Sequence, residues 1–211
     1  MAKMKELIES IENLKNSEIK KVIDTRIHEF EKIRALSIDE IFKELCFCIM
    51  TANCGAEKCI EVHEGIANGF LNLSKEKLTA KFKILGYRFP NIRSEYIVKA
   101  RGHKDNLEEM IKTNDDINGL RDWILKNIKG IGYKEASHFL RNIGYKNYAI
   151  IDFHIVDLMV KNNLIDKPKT MTKTKYLEIE ELLKSIGNKL NLNMAELDLY
   201  LWYLETGKIL K

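Results

Sequence analysis

The stretch NIKGIGYKEASHFL, residues 127–140, decides how this chain is read. Gly130 and Gly132 stand either side of Ile131, and Lys134 follows two residues after the second glycine, at the mouth of a segment with helical character. Upstream, Leu120, Trp123, Ile124 and Ile128 recur at helical spacing, so the glycines sit in a turn between two helices. Glycine lets such a turn bend tightly and approach another molecule closely, and the first N–H groups of the next helix lack intrahelical partners. The turn therefore suits a phosphate. A helical hairpin that merely turns carries the same pattern, and a lone lysine there is equally a solvated charge.

Working outward, helical periodicity continues in both directions and no run alternates with period two, which predicts an all-α protein. Met4, Leu7, Ile8, Ile11 and Leu14 form a first apolar stripe. Ser17 is placed to cap a second helix with Ile19, Val22, Ile23 and Phe30 inward, and Ser37 with Glu40 makes a capping-box pattern before Ile41. Ser74 caps a helix that Gly86 closes, and Pro90 suits the first turn of the next. Past the hairpin come FHIVDLMVKN, a loop around Pro168 and two longer helices ending near Thr206. The expected total is about ten or eleven helices. No repeat, low-complexity tract or linker interrupts them.

The chain has 211 residues, 45% hydrophobic and 31% charged, enough for a substantial core. Its net charge of +4 permits an anionic partner without demanding one. The charged N-terminus has no apolar segment, so it reads as neither signal peptide nor membrane anchor, and an intracellular protein is expected. Cys46, Cys48, Cys54 and Cys59 raise metal ligation as a candidate. Cys46 and Cys48 diverge by about 200° around a helix, which favours buried apolar roles.

Taken together, IKGIGYKEASHFL and the later AIIDFHIV resemble the helix-hairpin-helix and Asp signature of the endonuclease III superfamily of DNA glycosylases. In that resemblance Lys134 matches the catalytic lysine and Asp152 the essential aspartate, 18 residues on. Two positions depart from the common pattern: Lys129 where many members have proline, and Phe153 where threonine is common. The implied chemistry has the Lys134 amine attack C1′ of an extruded nucleotide, expel the base and leave a Schiff base that permits β-elimination. An ordinary lysine is only about 0.04% neutral at pH 7, so such a nucleophile calls for desolvation or cationic neighbours. Asp152 reads as a helix N-cap, and the resemblance adds electrostatic stabilisation of the developing oxocarbenium. His154 beside it invites a catalytic role, against that of a packed, hydrogen-bonded residue.

The C-terminal half lacks cysteine, so the iron–sulfur branch of the superfamily is not expected, and no room remains for the N-terminal β-rich domain of the eukaryotic 8-oxoguanine glycosylases. The remaining likeness, through LCFCIMTANCGAE, LGYRFPNIRSEYIVKAR and ELDLYLWYLETGKILK, is to the compact type-2 8-oxoguanine DNA glycosylase/AP lyases of archaea and some thermophilic bacteria. It implies two helical subdomains with a cleft, residues 1–34 plus 137–211 and residues 35–136, the latter ending in the hairpin.

Within the resemblance, Asn53 fills the gap after flipping or contacts the orphaned base, against a plain C-cap role. Phe89 and Trp202 sandwich the flipped purine, against a core role. The α-carboxylate or a carbonyl of Lys211 offers an acceptor to the N7–H that distinguishes 8-oxoguanine from guanine. Gly130 and Gly132 grip phosphate, and the carbonyls of Ile128 and Ile131 can hold a structural Na⁺ or K⁺. Arg88, Arg93, Lys99 and Arg101 form a basic run that either follows the DNA backbone or faces solvent. No redox cofactor, divalent metal or iron–sulfur cluster is required. The expected partner is double-stranded DNA containing 8-oxoguanine or abasic sites, bound by a monomer in a prokaryotic cytoplasm. The alternatives are an oxidised-pyrimidine glycosylase/lyase and a non-catalytic helix-hairpin-helix module.

Overall fold

Caps and turn residues divide the chain into helices. The computed structural model describes residues 2–113 and 117–211, and no strand occurs among them. The helices are α1 (Ala2–Lys15), α2 (Ile19–Arg34), α3 (Ile38–Thr51), α4 (Ala56–Ile66), α5 (Gly69–Asn72), α6 (Lys75–Ile84) and α7 (Pro90–Ala100). They continue through α8 (Lys104–Thr113), α9 (Ile117–Asn127), α10 (Tyr133–Asn142), α11 (Phe153–Lys161), α12 (Lys173–Leu190) and α13 (Met194–Thr206). This exceeds the ten or eleven expected, because short pieces such as α5 carry too few residues for a periodic stripe.

Ser74 Oγ accepts the Lys77 N–H at 3.3 Å, Gly86 follows α6 with φ of 67°, and Pro90 opens α7. Ser37 stands at the N-cap of α3 but makes no side-chain cap bond, so the capping box read there does not form. On α2 the buried face is Ile23, Ile27 and Phe30, whereas Val22 is 49% exposed. The three- and four-residue steps through Ile27 turn Val22 outward.

The chain divides into two compact units, Met1–Glu31 with Gly144–Lys211, and Lys32–Ile143. The breaks differ from those expected, most at the second, where α10 stays whole with the Lys32–Ile143 unit. Every residue of α10 from Ala136 to Asn142 is buried, and the helix packs on α3 and α9.

In that unit α3 is the central helix, apolar nearly all round and buried from Leu45 to Thr51. Its Glu44 accepts the Asn142 side-chain N–H at 3.2 Å, and Asn142 Oδ1 accepts from Arg141 Nη2 at 3.0 Å. This buried network pins α10, and hence the hairpin before it, to α3.

In the other unit α1, α12 and α13 pack together and α11 lies on α13. Gly144, with φ of 87°, passes so close to α2 that a Cβ there would lie 3.0 Å from Glu31 Cα. Only glycine meets both conditions.

Candidate active site

The hairpin between α9 and α10 is built by Ile128 and Ile131, which bury their side chains and leave the backbone to turn between them. Gly130 has φ of 84°, and a Cβ there would sit 2.2 Å from Tyr96 Cδ2. Glycine is demanded twice, by conformation and by the ring lying over it. Gly132 differs, since its φ of −104° and ψ of −171° are open to any residue. Its N–H donates to Glu135 Oε2 at 3.1 Å. The sequence expectation of unpaired N–H groups at this turn is therefore corrected for Gly132, whose donor the first-turn carboxylate already takes.

Lys134 lies in the first turn of α10, half-buried, with Nζ 3.8 Å from Glu135 Oε1. Burial, with the neighbouring Cys54, pushes the Cys59 thiol far above its ordinary range, while Lys134 and Arg93 pull it the other way. Both cations thus lie within electrostatic reach of Cys59. Cys46, Cys48 and Cys59 are buried and packed, and burial pushes the Cys46 thiol up as well.

The same unit also holds Asn53, Phe89 and the basic run named from sequence, whereas Asp152, Trp202 and Lys211 belong to the other. Asn53 is exposed in the turn after α3 with φ of 61°, the left-handed conformation that ends helices. The backbone thus supports its cap role and leaves its side chain on the surface. Arg93 Nη2 donates to the carbonyl of the adjacent Ala52 at 2.8 Å. The Arg93 guanidinium also lies 5.6 Å from the Phe89 ring centroid and 5.7 Å from that of Tyr96. Phe89 is half-buried at the N-cap of α7, with exposed Arg88 4.9 Å above its ring.

The basic run is not one DNA-facing row. Arg93 is buried, Arg101 donates to the carbonyls of Phe70 and Leu73 at 2.7 Å each, and Lys99 pairs with Glu95 at 2.6 Å. Helical rotation sends these residues to different faces.

Asp152 belongs to the other unit and caps α11, with Oδ1 accepting the Ile155 N–H at 3.0 Å. The segment before it, residues 145–151, has no regular structure, yet Tyr145, Tyr148, Ala149, Ile150 and Ile151 are buried. Buried irregular backbone needs outside partners, and α12 supplies them. Glu180 Oε1 accepts the Ala149 N–H at 3.0 Å, while Tyr176 Oη donates to the Ala149 carbonyl at 2.6 Å and accepts the Ile151 N–H at 3.2 Å. Sequence reasoning missed this pair, although Glu180 interrupts an apolar stripe of Tyr176, Ile179, Leu183 and Ile186.

Beside Asp152, the His154 ring lies tilted by 36° against that of Phe153, 3.9 Å between centroids, and meets Trp202 edge-on at 4.7 Å. Phe153 is 69% exposed. Trp202 is half-buried, and its Nε1 is buried with no hydrogen-bond partner among the described residues. Beyond α13 the chain turns at Gly207, and Ile209, Leu210 and Lys211 are half-buried rather than splayed into solvent.

An all-helical chain whose glycine hairpin delivers a lysine into the first turn of a helix, with a later aspartate capping another, defines a helix-hairpin-helix protein of the DNA-glycosylase type. The 8-oxoguanine DNA glycosylase family model matches residues 23–192, and the chain belongs to that family. The 8-oxoguanine DNA glycosylase/AP lyase of Methanocaldococcus jannaschii is 54% identical over 206 residues, covering 97% of this chain and 99% of that protein. Its namesake from Korarchaeum cryptofilum is 47% identical over 207 residues, covering 98% of each. The crystal structure of the M. jannaschii enzyme in complex with 15mer DNA containing 8-oxoguanine superimposes with TM-score 0.94 at 53% identity, covering 97% of this chain and 99% of that one. The Thermotoga maritima 8-oxoguanine DNA glycosylase gives TM-score 0.92 at 38% identity, covering 99% of this chain and all of that one.

Proposed function

We propose that this protein excises 8-oxoguanine from duplex DNA and then cleaves the resulting abasic site. The observation that carries the reading is Lys134, held half-buried in the first turn of α10 directly after the Gly130 turn. Family membership and the M. jannaschii and K. cryptofilum relatives support it.

In this reading the neutral amine of Lys134 attacks C1′ of the extruded nucleotide. The N-glycosidic bond breaks, and the base leaves with the electron pair and takes up a proton. The sugar ring opens as its O4′ is released, giving an imine between C1′ and Nζ. That imine acidifies C2′; loss of a C2′ proton and cleavage of the C3′–O bond expel the 3′ phosphate, and water hydrolyses the imine to free the lysine. Asp152, already oriented by its cap bond, stabilises positive charge at C1′. Trp202 and Phe89 stack on the extruded purine, Asn53 contacts what is left in the helix, and a main-chain oxygen of Lys211 accepts a hydrogen bond from the N7–H of the lesion. Gly130 and Gly132 lie against phosphate. The carbonyls of Ile128 and Ile131, hard oxygen donors, suit a monovalent Na⁺ or K⁺ with a structural role, and the chemistry needs neither a divalent metal nor a redox cofactor. The protein acts as a monomer in the cytoplasm, on DNA carrying 8-oxoguanine or abasic sites.

Borohydride trapping on duplexes containing 8-oxoguanine, thymine glycol or a preformed abasic site tests the reading. A covalent adduct favouring 8-oxoguanine over thymine glycol is expected. Absence of any adduct indicates a DNA-binding module, and a preference for thymine glycol indicates an oxidised-pyrimidine enzyme.

A further inference from the structure

Arg93 is a cation with only 8% of its surface exposed, and no carboxylate pairs with it among the described residues. Its Nε is buried with no hydrogen-bond partner among the described residues. Burying a charge and leaving a donor unmet both oppose folding, so a residue of this kind is costly as a stabilising element. What it touches gives it another use. Its Nη2 bond to Ala52 at 2.8 Å holds the carbonyl immediately before Asn53, whose left-handed backbone sets where that side chain leaves the surface. The planar guanidinium faces Phe89 at 5.6 Å and Tyr96 at 5.7 Å. Tyr96 in turn lies over Gly130 so closely that no Cβ fits beneath it. One side chain thereby ties together the turn of Asn53, the ring of Phe89 and, through Tyr96, the hairpin that leads to Lys134.

We infer that Arg93 is the positioning residue of lesion recognition in this protein: it sets the relative placement of Asn53, Phe89 and the hairpin without touching the substrate. The inference rests on the reading above, in which Asn53 and Phe89 handle the extruded base and its vacated place while Lys134 does the chemistry. Its consequence is a separation of steps. Losing Arg93 impairs base recognition, which depends on Asn53 and Phe89, far more than cleavage at a site that has no base. A misplacement near 1 Å in a recognition group costs up to about 100-fold in rate. Arginine is specified because one guanidinium nitrogen bonds the carbonyl while the guanidinium carbon lies within cation–π reach of both rings, a spread that the single nitrogen of an ammonium lacks.

The test compares Arg93→Met and Arg93→Lys with wild type. Met keeps much of the volume without the charge, and Lys keeps the charge and can reach the Ala52 carbonyl without the spread of the guanidinium. Single-turnover excision of 8-oxoguanine, cleavage of a preformed abasic site, thermal unfolding and the ratio of excision opposite cytosine to that opposite adenine are measured on each. The expected result is a roughly 10- to 100-fold loss of excision in both variants, abasic-site cleavage within about threefold of wild type, and a changed opposite-base ratio from displacement of the Asn53 turn. Should Arg93→Met fail to fold, Arg93→Lys carries the same comparison. Parallel loss of both activities together with stability, at an unchanged opposite-base ratio, makes Arg93 merely structural and overturns the inference, as do two unimpaired variants. A wild-type protein that cleaves abasic sites but releases no 8-oxoguanine overturns the underlying reading as well, which separates the two failures.

Discussion

Lys134 and Glu135 are neighbours in sequence and in space: Nζ of the first lies 3.8 Å from Oε1 of the second, while Oε2 of Glu135 takes the Gly132 N–H at 3.1 Å. A carboxylate thus sits in the mouth of the turn proposed to meet phosphate. Glu135→Gln retains a side-chain acceptor for the Gly132 N–H and removes the charge. Loss of a repulsion of about 0.5–1 kcal/mol tightens duplex binding roughly two- to fivefold at low ionic strength, fading as salt screens the charge. Fluorescence anisotropy at two salt concentrations reads this, and equal affinities at low salt place the carboxylate away from the phosphates.

Lys134→Gln is close in shape but not nucleophilic. It abolishes borohydride trapping and base release by the amine while duplex binding persists. Undiminished trapping in this variant would assign the Schiff base to another amine.

At Asp152 the cap and the chemistry can be separated. Asp152→Asn keeps a side-chain oxygen for the Ile155 N–H and leaves the unfolding midpoint nearly unchanged, whereas Asp152→Ala loses about 1 kcal/mol. Both variants lose most single-turnover excision, because neither carries the anion. Excision by Asp152→Asn within a few-fold of wild type leaves Asp152 only its structural role.

Glu180 holds the segment that leads to the same aspartate, through the Ala149 N–H. Glu180→Ala leaves the buried Ala149 N–H without its acceptor, at a cost of about 1–3 kcal/mol, and frees the segment that leads to Asp152. Urea unfolding shows the lost stability, and amide exchange of residues 149–151 rises above that of the α12 core. Unchanged protection at Ala149 would mean that water or another group takes the N–H.

Lys211 tests base reading. Deleting it lowers 8-oxoguanine excision by about 10- to 100-fold, the worth of a hydrogen bond to a charged acceptor, and spares cleavage at a preformed abasic site. If both activities survive the deletion unchanged, the N7 hydrogen is recognised by another group.

The features legible in the sequence are those that neighbours along the chain decide. The helical periodicity, the turn at Gly130, the placement of Lys134 at the start of α10 and the cap formed by Asp152 all follow from residues within a few positions of one another. Even locally, spacing misjudged what competition settles: Ser37 forms no cap bond, Val22 faces solvent and the Gly132 N–H goes to Glu135. What places the reactive groups was decided by tertiary structure alone. Arg93 meets Ala52 across 41 residues, Asn142 meets Glu44 across 98, and Ala149 meets Glu180 across 31. Each pairing answers a need that arises only on burial, when a carbonyl, an N–H or a charge leaves water and must find a partner. Such partners come from wherever packing brings them, so their spacing leaves no period in the sequence to read.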